Sequence, residues 1–293
     1  VRRGGSVLRA ALLALLLPAV LSYALELLQN FLPGRHPSLR DWSHNTAGAA
    51  IGAAIAWLMQ QLGLYDRWHR VRERWFVPES GGAIALLLLW PLGLLFPAPV
   101  PFGLGQVFEA LRGLAEGALG GTPWAAWVVA GPAAPVQPLP AAREALAIAL
   151  AMLGPCLLSA AVTRPGWRRL VMAPGAAALG LATMTLSTAL NFGPQHALTW
   201  LTPVTLPAIA AATGVAMLLT PAGPRAAAAL GLVALTAMVT LVAEAPADPY
   251  YAASLQRWEA GRFIRFHGLA QWIGWLWPYA AMGWLVARLA RRD

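Results

Sequence analysis

Eight runs of mainly apolar residues, at about 7–31, 44–63, 82–101, 146–163, 171–192, 203–220, 226–245 and 267–287, divide the chain, with breaks at glycine, proline and arginine clusters. An α-helix needs ~20 apolar residues to cross a hydrocarbon core of ~30 Å. In lipid, only helices and closed barrels satisfy their own backbone. The expected fold is all-α, a polytopic transmembrane helix bundle of about eight spans. Composition excludes a soluble domain, because 58% of the residues are hydrophobic and only 11% are charged, against roughly a quarter charged in soluble domains. The single cysteine, Cys156, lies in an apolar run and rules out a disulfide framework or a multi-cysteine metal site.

Orientation is read from the arginines. All 21 basic residues are Arg, and the net charge is +9. With an inside N-terminus, 14 of the 21 fall in the inner segments, at Arg2, Arg3 and Arg9, Arg67–Arg74, Arg164–Arg169, Arg225 and Arg288–Arg292. Excess arginine marks the cytoplasmic side, so both termini are expected in the cytoplasm and no nucleic-acid surface is expected. The two arginines that open the chain do not announce a cleaved signal peptide, because the apolar stretch continues into Glu26 and Gln29 without a small-residue cleavage site. The sixth and seventh runs, separated only by Thr220–Arg225, are read as two crossings because Pro221, Gly223 and Pro224 punctuate the gap. Two regions are expected, 1–80 and 81–293. The second includes a long outer segment, 102–145, in which Val107, Phe108, Leu111, Leu114, Ala115, Ala118 and Leu119 recur at helical spacing. That pattern predicts one interfacial amphipathic helix on the outer side.

Tryptophans favour the headgroup level. Trp42, Trp68, Trp75 and Trp200 fit a belt, whereas Trp272, Trp275, Trp277 and Trp284 are too dense for one and point to a face packed on protein or on a lipid tail.

The most informative stretch joins the first two runs, ELLQNFLPGRHPSLRDWSHNTAGAAIG from Glu26 to Gly52. Glu26 and Gln29 are three apart on one helical face, about 8 Å below the helix end. A carboxylate there is costly unless paired or wetted. Beyond the Pro33–Gly34 turn come Arg35, His36 and Arg40, then Asp41, placed to cap the second helix, and Asn45 one turn deeper. The hairpin is expected to bring Glu26, Gln29, Arg35, Asp41 and Asn45 towards one point. Gly48 and Gly52 make the second helix smooth on one side, which allows close approach of a neighbour. Glu26 is read either as the structural partner of Arg35 or, with Asp41, as a general acid and base pair. His36 and His44 lack the i, i+4 pairing of a metal motif, so no metal and no cofactor is expected.

The succession E-x-x-Q, P-G-R, then D-x-x-x-N-x-x-G-x-x-x-G closely resembles the VanZ-like family of bacterial membrane proteins, whose namesake is linked to low-level teicoplanin resistance. The family's polar positions fall on Glu26, Gln29, Arg35, Asp41 and Asn45. The resemblance implies a multi-pass protein of the bacterial inner membrane with a cell-envelope role. Such proteins usually carry an earlier hairpin with its own Asp and Asn, which this chain begins too late to contain, so a truncated start or a shortened variant is expected. The remaining two-thirds is more faintly similar to the C-terminal extensions of longer proteobacterial members.

A second polar set, Glu244, Asp248, Arg257, Glu259, Arg262, Arg265, His267 and Gln271, lies on the same expected side, with Asn191, Gln195 and His196 as a smaller third. Arg262, Arg265 and His267 are expected to border the hairpin site and bind an anionic ligand. The reasoning is charge balance: Glu26, Asp41, Glu244 and Asp248 exceed Arg35 and Arg40. Three functions remain open: an outward-facing site binding or processing an amphiphilic or anionic envelope component such as a lipid-linked precursor, a non-enzymatic scaffold subunit contacting other membrane subunits, and a small-molecule transporter. The last ranks lowest, because a transporter needs polar groups near the midplane.

Overall fold

The computed structural model describes residues 2–31, 37–123, 139–245 and 268–291. Among these it has ten α-helices: α1 (Arg2–Gln29), α2 (Leu39–Gln61), α3 (Leu64–Trp75), α4 (Gly81–Leu94), α5 (Val107–Leu119), α6 (Ala141–Val162), α7 (Trp167–Phe192), α8 (Thr205–Leu218), α9 (Pro224–Ala243) and α10 (Leu269–Ala290). The chain divides into two compact units, Val1–Arg74 and Trp75–Asp293.

The all-helical expectation holds, but the count of eight spans is not reproduced. Among the described residues, four helices are long and apolar enough to cross a membrane: Leu12–Gln29 within α1, then α6, α7 and α9; counting α2 and α3, which meet at a 77° bend, as one broken span makes five. The bend falls at Gly63, whose φ of +63° is the left-handed conformation that glycine adopts without cost. It turns the expected basic inner loop into a short helix, α3, that carries Arg67, Arg70, Arg72 and Arg74.

Two apolar runs form helices too short to span. α4 and α8 have 14 residues each, about 21 Å at 1.5 Å per residue. After Leu94 the chain runs to Gln106 without regular helix, yet Phe96, Ala98, Val100, Phe102, Leu104 and both glycines of that stretch are buried. Three prolines, Pro97, Pro99 and Pro101, stop the helix by withholding backbone donors. Non-helical backbone is tolerated at such a place only when protein covers it, and the cover is specific. Asn191 and Ser187 donate to Leu95 O at 3.0 and 2.8 Å, Gly105 N–H donates to Gly274 O at 3.1 Å, and the Tyr279 hydroxyl donates to Gly105 O at 2.8 Å. Phe102 stacks on Trp90 and takes the edge of Trp200.

In the second unit α6 is the axis. α9, α8, α7 and α4 pack along it, and α10 packs on α4 and α9. Small residues let these backbones approach: a Cβ at Gly274 would stand 3.0 Å from Gly93 O, and one at Gly154 would stand 2.5 Å from a methyl of Leu235. The dense tryptophans of the last run split between two roles. Trp277 is buried and donates to Leu86 O at 2.6 Å, and Trp284 lies against Gly82, whereas Trp272 is exposed.

α5 occupies 107–119, where the helical spacing predicted it. Val107 is buried, Leu111 and Leu114 are exposed, and Arg112 pairs with Glu116 one turn on.

Candidate functional site

The first unit holds a polar hairpin in which α1 presents Ala19, Ser22, Glu26 and Gln29 on one face, at the i, i+3, i+7 spacing of a helix. Ala19, Ser22 and Glu26 are its only buried residues among those whose burial is described. Glu26 is 8% exposed. Its Oε2 accepts the backbone N–H of Ser38 at 2.8 Å, and its Oε1 lies 3.5 Å from the Gln29 side-chain amide.

Ser38 caps α2, its Oγ accepting the Asp41 N–H at 3.2 Å. This corrects the expected cap. Asp41 sits three residues inside the cap, in the first turn, where its carboxylate favours the positive end of the helix dipole. A Ser-x-x-Asp start gives the cap to the serine, whose short hydroxyl reaches the third residue's N–H. Asp41 is exposed and is linked to Glu26 through Ser38.

One turn deeper, Asn45 donates to the Ser22 hydroxyl at 2.9 Å, and the Trp42 indole N–H donates to Ala19 O at 3.0 Å. The edge of Trp42 also meets Tyr23, with centroids 6.2 Å apart. Three rungs therefore tie the helices: Glu26 to Ser38, Ser22 to Asn45, and Ala19 to Trp42.

Of the site residues expected from the sequence, Glu26, Gln29 and Asn45 lie on this ladder and Asp41 lies beside it. Arg35 and His36 in the turn, and Asp248, Arg257, Glu259, Arg262, Arg265 and His267 in the second set, lie outside the described residues. Glu244, at the end of α9, pairs with Arg143 in the first turn of α6. That removes one premise of the charge-balance argument, since Glu244 has a cation within the segment the argument set aside. Asn191 is buried, its amide donating to Leu95 O and Ser187 O. Among the described residues, no group of three His, Cys, Asp or Glu side chains is placed to hold a metal.

Ser22, Ser38 and Trp42 were missed as members of the ladder. Ser22 was legible, since it precedes Glu26 by one turn, and Ser38 was legible as a capping residue three before Asp41. Trp42 reads equally well as a belt residue, so sequence alone did not separate the two. Gly48 and Gly52 differ from expectation too. A Cβ at either would meet nothing within 4 Å, and the α2 face towards α1 carries Trp42, Asn45 and Ser38 instead.

Chemically, the ladder holds a carboxylate in a low-exposure position, with one oxygen committed to a backbone donor and an amide beside the other. Such a carboxylate, fixed by the Ser38 N–H, can also accept from a hydroxyl or an amine. No curated protein and no solved structure matches the chain. Residues 2–60 match the family model described as VanZ/LLP1, a stretch that contains the whole ladder. With its spanning-length apolar helices, the chain is a multi-pass membrane protein, and its residues 2–60 are similar to the VanZ/LLP1 family.

Proposed function

We propose that the hairpin unit is a polar seat, on the outer half of the bacterial inner membrane, for an amphiphilic or anionic envelope component such as a lipid-linked precursor. The observation that carries this reading is Glu26: an 8% exposed carboxylate on an apolar helix, held by a backbone N–H and flanked by Gln29, Ser22 and Asn45. A carboxylate kept in an apolar helix is a functional position by default. Its neighbours suit the hydroxyl and amide groups of a glycan, and the exposed leucines of α1 suit an acyl tail. In this reading Arg35, Arg262, Arg265 and His267 supply the cations that grip phosphate or carboxylate, and Asp41 with Glu26 supplies the acid and base if the component is processed. In this reading both termini face the cytoplasm, the eight apolar runs each cross, α4 and α8 doing so together with their non-helical flanks, and α5 lies at the outer interface.

The test is co-purification. Full chain and a Glu26→Gln variant, isolated in native-membrane discs, are compared by mass spectrometry of the extracted lipids. Enrichment of a lipid-linked glycan precursor over bulk phospholipid in the wild type, lost in the variant, is the expected result. Equal lipid profiles would overturn the reading.

A second reading has its own observation. The open small-residue face at Gly48 and Gly52, with nothing within 4 Å among the described residues, suits a scaffold subunit whose partner is another membrane helix. Cross-linking from Gly48→Cys separates the two, since a protein adduct favours the scaffold and its absence favours the lipid seat.

A further inference from the structure

The hairpin unit continues into a helix that crossing the membrane does not explain. α1 contains a stretch, Leu12–Gln29, long and apolar enough to cross. α2 runs antiparallel along it, because the rungs pair Glu26 with Ser38, Ser22 with Asn45 and Ala19 with Trp42. Both helices of the hairpin therefore point across the bilayer. At the end away from the ladder, α3 leaves α2 at 77°, which lays it close to the plane of the membrane surface. Backbone hydrogen bonds hold this corner on both sides. Leu62 N–H donates to Leu58 O at 2.9 Å and Gly63 N–H to Gln60 O at 3.1 Å, closing α2, while Gly63 O accepts the Arg67 N–H at 3.2 Å and opens α3.

The side chains of α3 are sorted for that plane. At about 100° per residue, Trp68 and Val71 stand about 60° apart with Leu64 between them, and Tyr65 stands at the edge of the same face. Tyr65, Trp68 and Val71 are exposed. Arg72 borders this apolar face on one side, Arg67 and Arg74 border it on the other, and Asp66 and Glu73 lie on the opposite side of the helix. A bilayer surface presents its layers in the same order, with acyl chains below, phosphates at the boundary and water above. Arginine stems lie along apolar surface while their heads reach the phosphates, and tryptophan and tyrosine rings favour the headgroup level. In water alone the helix would leave Tyr65, Trp68 and Val71 wet. Inside the bilayer it would carry Asp66, Arg67, Arg70, Arg72, Glu73 and Arg74 into hydrocarbon, which is costly for each.

We infer that α3 is a surface-lying amphipathic helix that docks on anionic phospholipid, with Trp68 and Val71 among the upper acyl chains and Arg67, Arg72 and Arg74 on the phosphates. Two independent observations carry this. The 77° corner sets the helix along the surface, and the angular order of its side chains sets which side faces the lipid. The sign of the partner follows from the borders, since both are cationic and the carboxylates are on the water side. The inference concerns the end of the hairpin opposite the ladder and does not depend on what the ladder binds.

Electron paramagnetic resonance of the full chain tests it, in nanodiscs of phosphatidylcholine alone or of equal parts phosphatidylcholine and phosphatidylglycerol. Spin labels at Val71→Cys and His69→Cys, about 160° apart on the helix, are read for collision with oxygen, which partitions into acyl chains, and with a water-soluble nickel chelate. The unmodified chain gives the background from the buried Cys156. In the mixed bilayer the label at 71 should meet oxygen and be shielded from nickel, and the label at 69 should show the reverse. In phosphatidylcholine alone, and in the mixed bilayer at high salt, nickel access at 71 should rise. Arg67→Gln and Arg72→Gln should each lower the ratio of docked to undocked helix in the mixed bilayer about fivefold, the effect of one cation near an anionic surface, and lysine at either position should recover most of it. Nickel access at both labels would put α3 in water, oxygen access at both would put it inside the bilayer, and shielding of 71 from both reagents would give the face to a protein; each result would overturn the proposal. So would a label at 71 indifferent to phosphatidylglycerol and to salt.

Discussion

The two units solve the same problem in opposite ways. In the second, the helices meet through residues that nearly vanish: Gly93 against Gly274, Gly154 under Leu235, Gly231 between Leu157 and Leu285. Polar contacts supplement this packing: Trp277 reaches Leu86 O between α10 and α4, and Arg169 gathers the carbonyls that close α6 and α8. In the first unit, most of the leucines of α1 and α2 stay exposed and the two helices are joined by three polar rungs. Lipid tails are as apolar as leucine, so helices in a bilayer gain little from burying leucine and associate through close packing or hydrogen bonds. Packing gives the second unit many mutually supporting contacts. The ladder gives the first unit few, each specific, and leaves its outer face free for a ligand or partner.

Substitutions should separate the two strategies. The largest effect is expected at Arg169. Replacing it with Met removes three donors at once from the carbonyls that close α6 and the α8–α9 turn, and hydrogen bonds to a charged group contribute ~1.5–3 kcal/mol each. A loss of about 3 kcal/mol or more is expected, read as a fall in unfolding temperature in detergent, with Arg169→Lys recovering only part because an ammonium cannot span the same fork. Gly274→Leu comes next. Its Cβ alone would stand 3.0 Å from Gly93 O, and overpacking of this kind costs about 1–3 kcal/mol; the same measurement reads it, and a neutral result would mean that the α4 and α10 backbones do not approach as closely as described. A smaller effect is expected from Asn45→Ala, which removes one rung and should cost ~0.6 kcal/mol, at most about 1.7. Gly48→Leu should cost nothing measurable in the monomer, and a loss on the scale of Gly274→Leu would place that face in a packed interface.

Much of this was legible in the residues. Apolar runs and arginine clusters located every long helix, because a bilayer makes hydropathy a direct report of position. The exceptions have physical causes. The third run is apolar to its end, so hydropathy could not show that Pro97, Pro99 and Pro101 turn its second half into buried coil; the prolines could, had they been weighed above length. In the candidate site, the spacing of Glu26 with Gln29 and Asn45 was readable from helix geometry. The donor on Glu26 was not, because a backbone N–H at Ser38 has no signature in a sequence. Charge counting also misled at Glu244, since it set aside Arg143, and a cation on the next helix balances a carboxylate as well as one nearby in sequence.

The account rests most heavily on Glu26 as the fastener of the hairpin. Amide hydrogen exchange over Ser38–Trp42, measured on the full chain as wild type, Glu26→Gln and Glu26→Leu, tests that directly. Glutamine keeps an oxygen for the Ser38 N–H and should leave the protection of this segment nearly unchanged. Leucine removes the acceptor and should speed exchange about tenfold, the equivalent of ~1.4 kcal/mol, within the range for losing one buried hydrogen bond. If Glu26→Leu exchanged as slowly as the wild type, Glu26 would not hold the start of α2, and the ladder would not be what joins the two helices.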